Sequence, residues 1–160
     1  NDVIFLYEVD GELENTKEFR KKLVRVIREK RPNIIFSFDP ANLSFDNFYR
    51  YHPDHRACAI AVFDAIYPAV GNDKFFPELL PKHQPHKDLK YVYFFGSSNP
   101  NKFIDIGSVI DKKIKALLCH KSQVSHRKEF EKFIRERYRE IGKDKGYEYA
   151  EAFRVLEVPE

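Results

Sequence analysis

The chain has 160 residues, of which 42% are hydrophobic and 33% charged, with a net charge of +3 at neutral pH. That length and apolar share suit one domain with a real core and exclude a disordered segment. No apolar run approaches the roughly 18–20 residues of a membrane span, and basic residues are interleaved with acidic ones, so neither a membrane nor a nucleic acid is the expected partner.

In chain order, residues 3–7 form a short apolar run of strand length, followed by the turn signal Asp10-Gly11. Asn15 is the expected N-cap of a helix carrying Phe19, Leu23, Val26 and Ile27 on one face and stopped by Pro32. The run IIFSF, residues 34–38, predicts a strand buried on both faces of a parallel sheet. A loop over 39–51, rich in Asn, Ser, Asp and aromatics, leads to the string HPDH. There Pro53 and Asp54 fit a first helical turn, since Pro needs no N–H at that point and Asp favours the positive end of the dipole. Ala57, Ile60, Ala61 and Phe63 continue this helix to Pro68.

Residues 68–88, with four prolines, read as loop, 90–95 as a strand, and FIDIG as a short further strand. Ser108 is the expected N-cap of a helix with Asp111 in the capping-box position and Ile114, Leu117 and Leu118 on its apolar face. A second helix is expected from near Ser125, carrying Phe130, Phe133, Ile134 and Ile141 and ending at Gly142. The tail after it is a closing helix or strand. This order predicts an α/β domain over residues 1–160 with a largely parallel sheet and flanking helices. Cys58 and Cys119 lie in apolar helical patterns without CxxC spacing and read as buried thiols of a cytoplasmic protein.

The chemistry concentrates in YRYHPDHR, residues 49–56. In a sheet of this class, ligands bind at the carboxyl ends of the strands, and HPDH follows IIFSF. His52 and His55 stand at i and i+3, so a helix beginning at Pro53 would project both from one end. Imidazole is a common zinc ligand and titrates near neutral pH, and Asp54 can orient a neighbouring ring. By spacing alone, the pair is either a metal or catalytic site or a solvated helix start. A second H-x-x-H, His83 to His86, lies in the proline-rich loop and reads as solvated.

The string HPDHRACAIAVFDAIYPA resembles the second motif of the LmbE-like (PIG-L) zinc-dependent N-acetylglucosaminyl deacetylases. FLYEVDGEL at 5–13, FIDIGSVIDKKIKALLCHKSQV at 103–124 and YAEAFRVLE at 149–157 resemble further family motifs, in the family's order. The resemblance implies a Rossmann-like α/β fold and Zn2+-dependent hydrolysis of an N-acetyl group from an amino sugar. It implies that His55 binds zinc, that His52 stabilises an oxyanion and protonates the leaving amine, and that Asp54 orients His52. Asp10 would bind sugar hydroxyls. Arg50 stands where some members carry a Tyr, and is either a sugar contact or a loop residue on the rim.

The aromatic loop at 43–51 and FFPELL resemble the diacetylchitobiose deacetylase branch, and family precedent implies a homo-oligomer. The family's opening HPDDE motif, source of two zinc ligands and the general base, does not occur here. The resemblance therefore implies that residues 1–160 are the C-terminal part of a longer enzyme, without the first strands. The competing reading is a non-catalytic sugar-binding or assembly module that keeps the fold.

Overall fold

The structure, a computed structural model, describes residues 2–42 and 52–159. Two compact units divide the chain, one of Asn1–Asn99 with Arg154–Glu160 and one of Pro100–Phe153.

In the first unit, α1 spans Lys17–Lys30. Its N-cap is Thr16 rather than the expected Asn15, because the Thr16 hydroxyl accepts the Phe19 N–H at 3.1 Å. Asn15 instead donates its side-chain amide to Asp64 and accepts from Arg20. Arg31, in left-handed geometry, closes the helix just before Pro32. Strand β1, Ile34–Phe38, pairs in parallel with β2, Tyr91–Phe95, from Ile34 opposite Tyr91 to Phe38 opposite Phe95. Helix α2, Pro53–Asp64, has Pro in its first turn. The following segment, Ala65–Val70, winds on but breaks at Tyr67, which takes extended geometry before Pro68. Steric exclusion by the proline ring forces that conformation on the preceding residue.

The core of this unit joins Val24 and Ile27 of α1, Val62 of α2, Ala65, Ile66, Ala69 and Val70 after it, and Val92 and Phe94 of β2. Arg28 is buried there as well. It donates to the carbonyls of Ala69, Val70, Asn72 and Phe75, so one guanidinium satisfies four backbone acceptors in the turn after α2.

In the second unit, β3, Lys102–Asp105, pairs antiparallel with the first half of β4, Ala150–Glu157. Helices α3, Ile110–Leu118, α4, Lys121–Val124, and α5, Phe130–Gly142, complete it. Its core gathers Ile106, Ile110, Ile114, Phe130, Ile134 and Tyr149. Strand order is β1-β2-β4-β3, a mixed four-stranded sheet in an α/β fold.

Several local expectations are corrected. Residues 3–7 form no strand; their backbone runs as coil, with Lys22 donating to the Leu6 carbonyl and pairing with Glu8. β1 is not buried on both faces, since Ile34 and Phe36 are exposed on what is an edge strand among the described residues. Ser108 makes no capping hydrogen bond; the Asp105 carboxylate accepts from the Gly107 N–H instead, and Asp111 pairs with Arg135.

The helix expected from Ser125 begins at Phe130, after the separate short turn α4. The α-helix ends at Gly142 as expected; a 3-10 turn, Lys143–Lys145, follows it, and Gly146, at φ +77°, turns the chain. The tail is a strand. Cys58 is half-buried and Cys119 exposed, so the second thiol is not in a core. His86 is buried rather than solvated, its Nε2 2.7 Å from the Pro32 carbonyl, because residues 85–89 pack back toward α1.

Candidate metal and active site

The site is built where β1 ends and α2 begins. Phe38, the last residue of β1, lies face to face with the His55 ring, centroids 4.3 Å apart and planes 15° apart. This places the HPDH motif at the carboxyl end of a parallel strand, the end at which ligands bind in sheets of this class. His52 is the N-cap of α2; its Nδ1 accepts the Asp54 N–H at 3.3 Å. That bond makes Nδ1 the unprotonated nitrogen and leaves Nε2 carrying hydrogen in the neutral ring. The two imidazole centroids are 5.4 Å apart.

Asp54 reaches across to the loop before α1. Its Oδ2 accepts the Gly11 N–H at 2.7 Å and its Oδ1 accepts the Leu13 N–H at 3.2 Å. The Gly11 amide is the main reason its carboxyl is held below the ordinary value of 3.8, working against burial and helped by the Leu13 amide and the two histidines. Gly11 takes φ +86°, a backbone conformation open to glycine, and so turns its N–H onto the carboxylate. Asp54 thereby clamps the loop that carries Asp10. Its Oδ2 is 3.9 Å from His52 Nδ1, so it faces that ring without hydrogen-bonding to it.

The consequence is convergence. Asp10, His52 and Asp54 each present a ligand atom, all within 4.8 Å of one another. They stand 42 to 44 positions apart in sequence at the extremes, and the Asp54 clamp is what joins them. His55 stands beside this trio, on Phe38. Burial, then the nearby His52, pulls its pKa below the ordinary 6.5, against the pull of Asp54. The helix N-terminus, with its partial positive charge, acts in the same sense. A neutral imidazole is the form that donates a lone pair to a metal.

Oxygen and nitrogen donors of this kind suit zinc, which takes His and carboxylate ligands in a site with one position left for water. Of the residues described, His55 offers one nitrogen donor of the kind that ion takes.

Of the residues expected from sequence, His52, Asp54, His55 and Asp10 are brought together; Arg50 lies outside the described residues. His120 is exposed in the second unit. Phe38 and the amides of Gly11 and Leu13 escaped the sequence reading. The signal for the amides was the Asp-Gly turn; an aromatic ending a strand just before a histidine motif was the only hint of Phe38.

The family model described as PIG-L, GlcNAc-PI de-N-acetylase, matches residues 1–66, which contain both the Asp10 loop and HPDH. The diacetylchitobiose deacetylase of Thermococcus kodakarensis is 33% identical over 149 residues, covering 92% of this chain and 54% of that protein. The N,N'-diacetylchitobiose deacetylase structure from Pyrococcus horikoshii superposes with a TM-score of 0.85 at 26% identity, covering 98% of this chain and 57% of that one. A conserved protein of Thermus thermophilus gives a TM-score of 0.72 at 25% identity, over 96% of this chain and 64% of that one. The chain thus spans about half the length of the curated relative it matches.

Proposed function

We propose that this chain, which belongs to the PIG-L (LmbE-like) de-N-acetylase family, forms one wall of a zinc-dependent site that hydrolyses the N-acetyl group of an N-acetylglucosamine-containing sugar. The observation that carries this is the convergence of Asp10, His52 and Asp54 beside the neutral His55. Diacetylchitobiose is the favoured substrate, on the likeness to the two archaeal deacetylases.

His55 would hold the metal through its imidazole. When bound, zinc supplies a Lewis acid that lowers the pKa of water toward about 7 and polarises the acetyl carbonyl. His52 offers Nε2 to the substrate: as an imidazolium, with Nδ1 released from the Asp54 amide and facing the Asp54 carboxylate, it hydrogen-bonds the oxygen that becomes negative and then gives its Nε2 proton to the departing nitrogen. The carbon–nitrogen bond breaks, water supplies the new carbon–oxygen bond, and the products are acetate and the free amine. Asp54 positions, holding the loop of Asp10 against the motif, while Asp10 takes sugar hydroxyls. Arg50 is assigned a further hydroxyl. The base that receives the proton of water, and the remaining metal ligands, are assigned to chain outside residues 1–160.

A homo-oligomer in the cytoplasm belongs to the same reading; no helix among the described residues is long and apolar enough to cross a membrane. The test is an assay of the complete protein on N-acetylglucosamine, its disaccharide and a sugar-thiol precursor, following acetate release. Fastest release from the disaccharide supports the reading. No release from any of the three, with zinc supplied, overturns it.

A further inference from the structure

Arg154 lies on β4, far in sequence from the histidine motif, yet its guanidinium ends at the strand that carries His55's support. Its Nη2 is 2.9 Å from Oδ1 of Asp39, and the Asp39 side chain is only 3% exposed. Burying a carboxylate this deeply is unfavourable unless a cation and hydrogen bonds compensate for the lost water. Asp39 has both: the same Oδ1 accepts the Ala41 N–H at 2.9 Å. The guanidinium also sits over the Phe94 ring, 5.4 Å from its centroid, with Phe94 wholly buried in β2. Arg154 is thus fixed from two sides.

Asp39 directly follows Phe38. Its N–H donates to the Phe95 carbonyl at 3.2 Å, extending the β1–β2 ladder by one bond, and the Asn42 side chain donates to the Gly96 carbonyl at 2.6 Å. Phe38 itself meets the edge of Phe95, ring centroids 4.6 Å apart, and stacks on His55 at 4.3 Å. The orientation of the His55 ring therefore depends on where β1 ends, and the end of β1 is pinned by a buried ion pair.

We infer that Arg154 is a positioning residue that, through Asp39 and Phe38, holds the His55 imidazole in the orientation the site uses. This rests on the reading of His55 as a metal ligand, and assigns a role at the site to the closing strand of the chain. Arg suits it better than Lys, because a planar fork can face the carboxylate and lie on an aromatic ring at once.

The test uses the complete protein and the variants Arg154→Gln, Arg154→Lys and His55→Gln, the last to assign the ring signals. In wild type the His55 ring protons should resonate upfield, shielded by Phe38. Arg154→Gln should move them toward their unstacked positions and raise the zinc dissociation constant roughly tenfold, in the range found for groups that orient metal ligands. Arg154→Lys should recover part of both. Should Arg154→Gln not fold, the neutral pair Arg154→Gln with Asp39→Asn removes the buried charge and carries the same comparison.

A lower melting temperature with unmoved His55 signals and unchanged zinc affinity would make the pair purely structural and overturn the inference. If wild type neither binds zinc nor releases acetate, the functional reading fails on its own. The His55 ring signals, read without metal, then still decide the positioning role.

Discussion

His52, Asp54 and His55 occupy four consecutive positions with Pro53, and the structure separates their roles. His52 caps the helix, Asp54 grips the opposite loop, and His55 stacks on β1. His52→Ala in the complete protein should cut turnover by about 10²-fold or more while zinc content stays near wild type, as expected of a general acid. Metal analysis of His55→Ala should instead show lost zinc. Asp54→Asn keeps the shape but gives one oxygen to two amides, so the Asp10 loop should loosen, with KM rising and kcat falling.

The same carboxylate yields a pH dependence. Its folded pKa lies below its ordinary value, so the clamp is fully present above about pH 4 and is lost as pH falls through the depressed folded value. Amide proton shifts of Gly11 and Leu13 should report that transition at acidic pH.

At the level of elements, the helices are held by a few local contacts whose removal has readable costs. Thr16→Ala removes the α1 cap and should lower stability by about 1 kcal/mol in denaturant melts. Asn15→Ala, at the neighbouring position, removes ties to Asp64 and Arg20 rather than a cap. Gly142 is packed so closely that an added Cβ would lie 2.4 Å from the Tyr147 carbonyl oxygen. Gly142→Ala should therefore cost roughly 1–3 kcal/mol through forced backbone movement, although alanine is the better helix former. A neutral or stabilising result would show that residues 147–150 can shift freely.

Lys113 and Glu151 form an ion pair inside the second unit, and the Lys113 ammonium also sits near the Tyr138 ring. These contacts account for Lys113 and Glu151 of the family-like motifs as supports of the fold.

For the whole molecule, the proposed zinc would link site and stability. A metal that binds only the folded state stabilises it by RT ln(1 + [L]/Kd), about 2.7 kcal/mol at a hundredfold excess over Kd. Chelation of the complete protein should lower its melting temperature and abolish acetate release, with both restored by added zinc. An unchanged melting temperature after verified metal removal would speak against a site built on the folded chain.

Much of this architecture was written in pattern. Apolar runs of strand length, helical spacing in α1, α3 and α5, and Pro53 after a histidine were enough to order the elements and to single out HPDH. Motifs carry that information because helix starts, strand periods and ligand types are local properties. Partnership was not local. Residues 3–7 have the composition of a strand, but a strand exists only when a neighbour takes its backbone hydrogen bonds. Asn15 and Thr16 are both good caps, and the choice fell to the side chain that reached the Phe19 amide.

His86 looked like a solvated loop histidine until packing around Pro32 enclosed it. The amino-acid order by itself thus singled out the residues proposed to carry the chemistry. Folding decided which of them meet: Asp10 reaches His52 because an Asp54 carboxylate binds two amides from 41 and 43 positions away, and His55 takes its orientation from a ring at the end of β1. Long-range contacts of that kind follow from three-dimensional packing, which no local window of sequence contains.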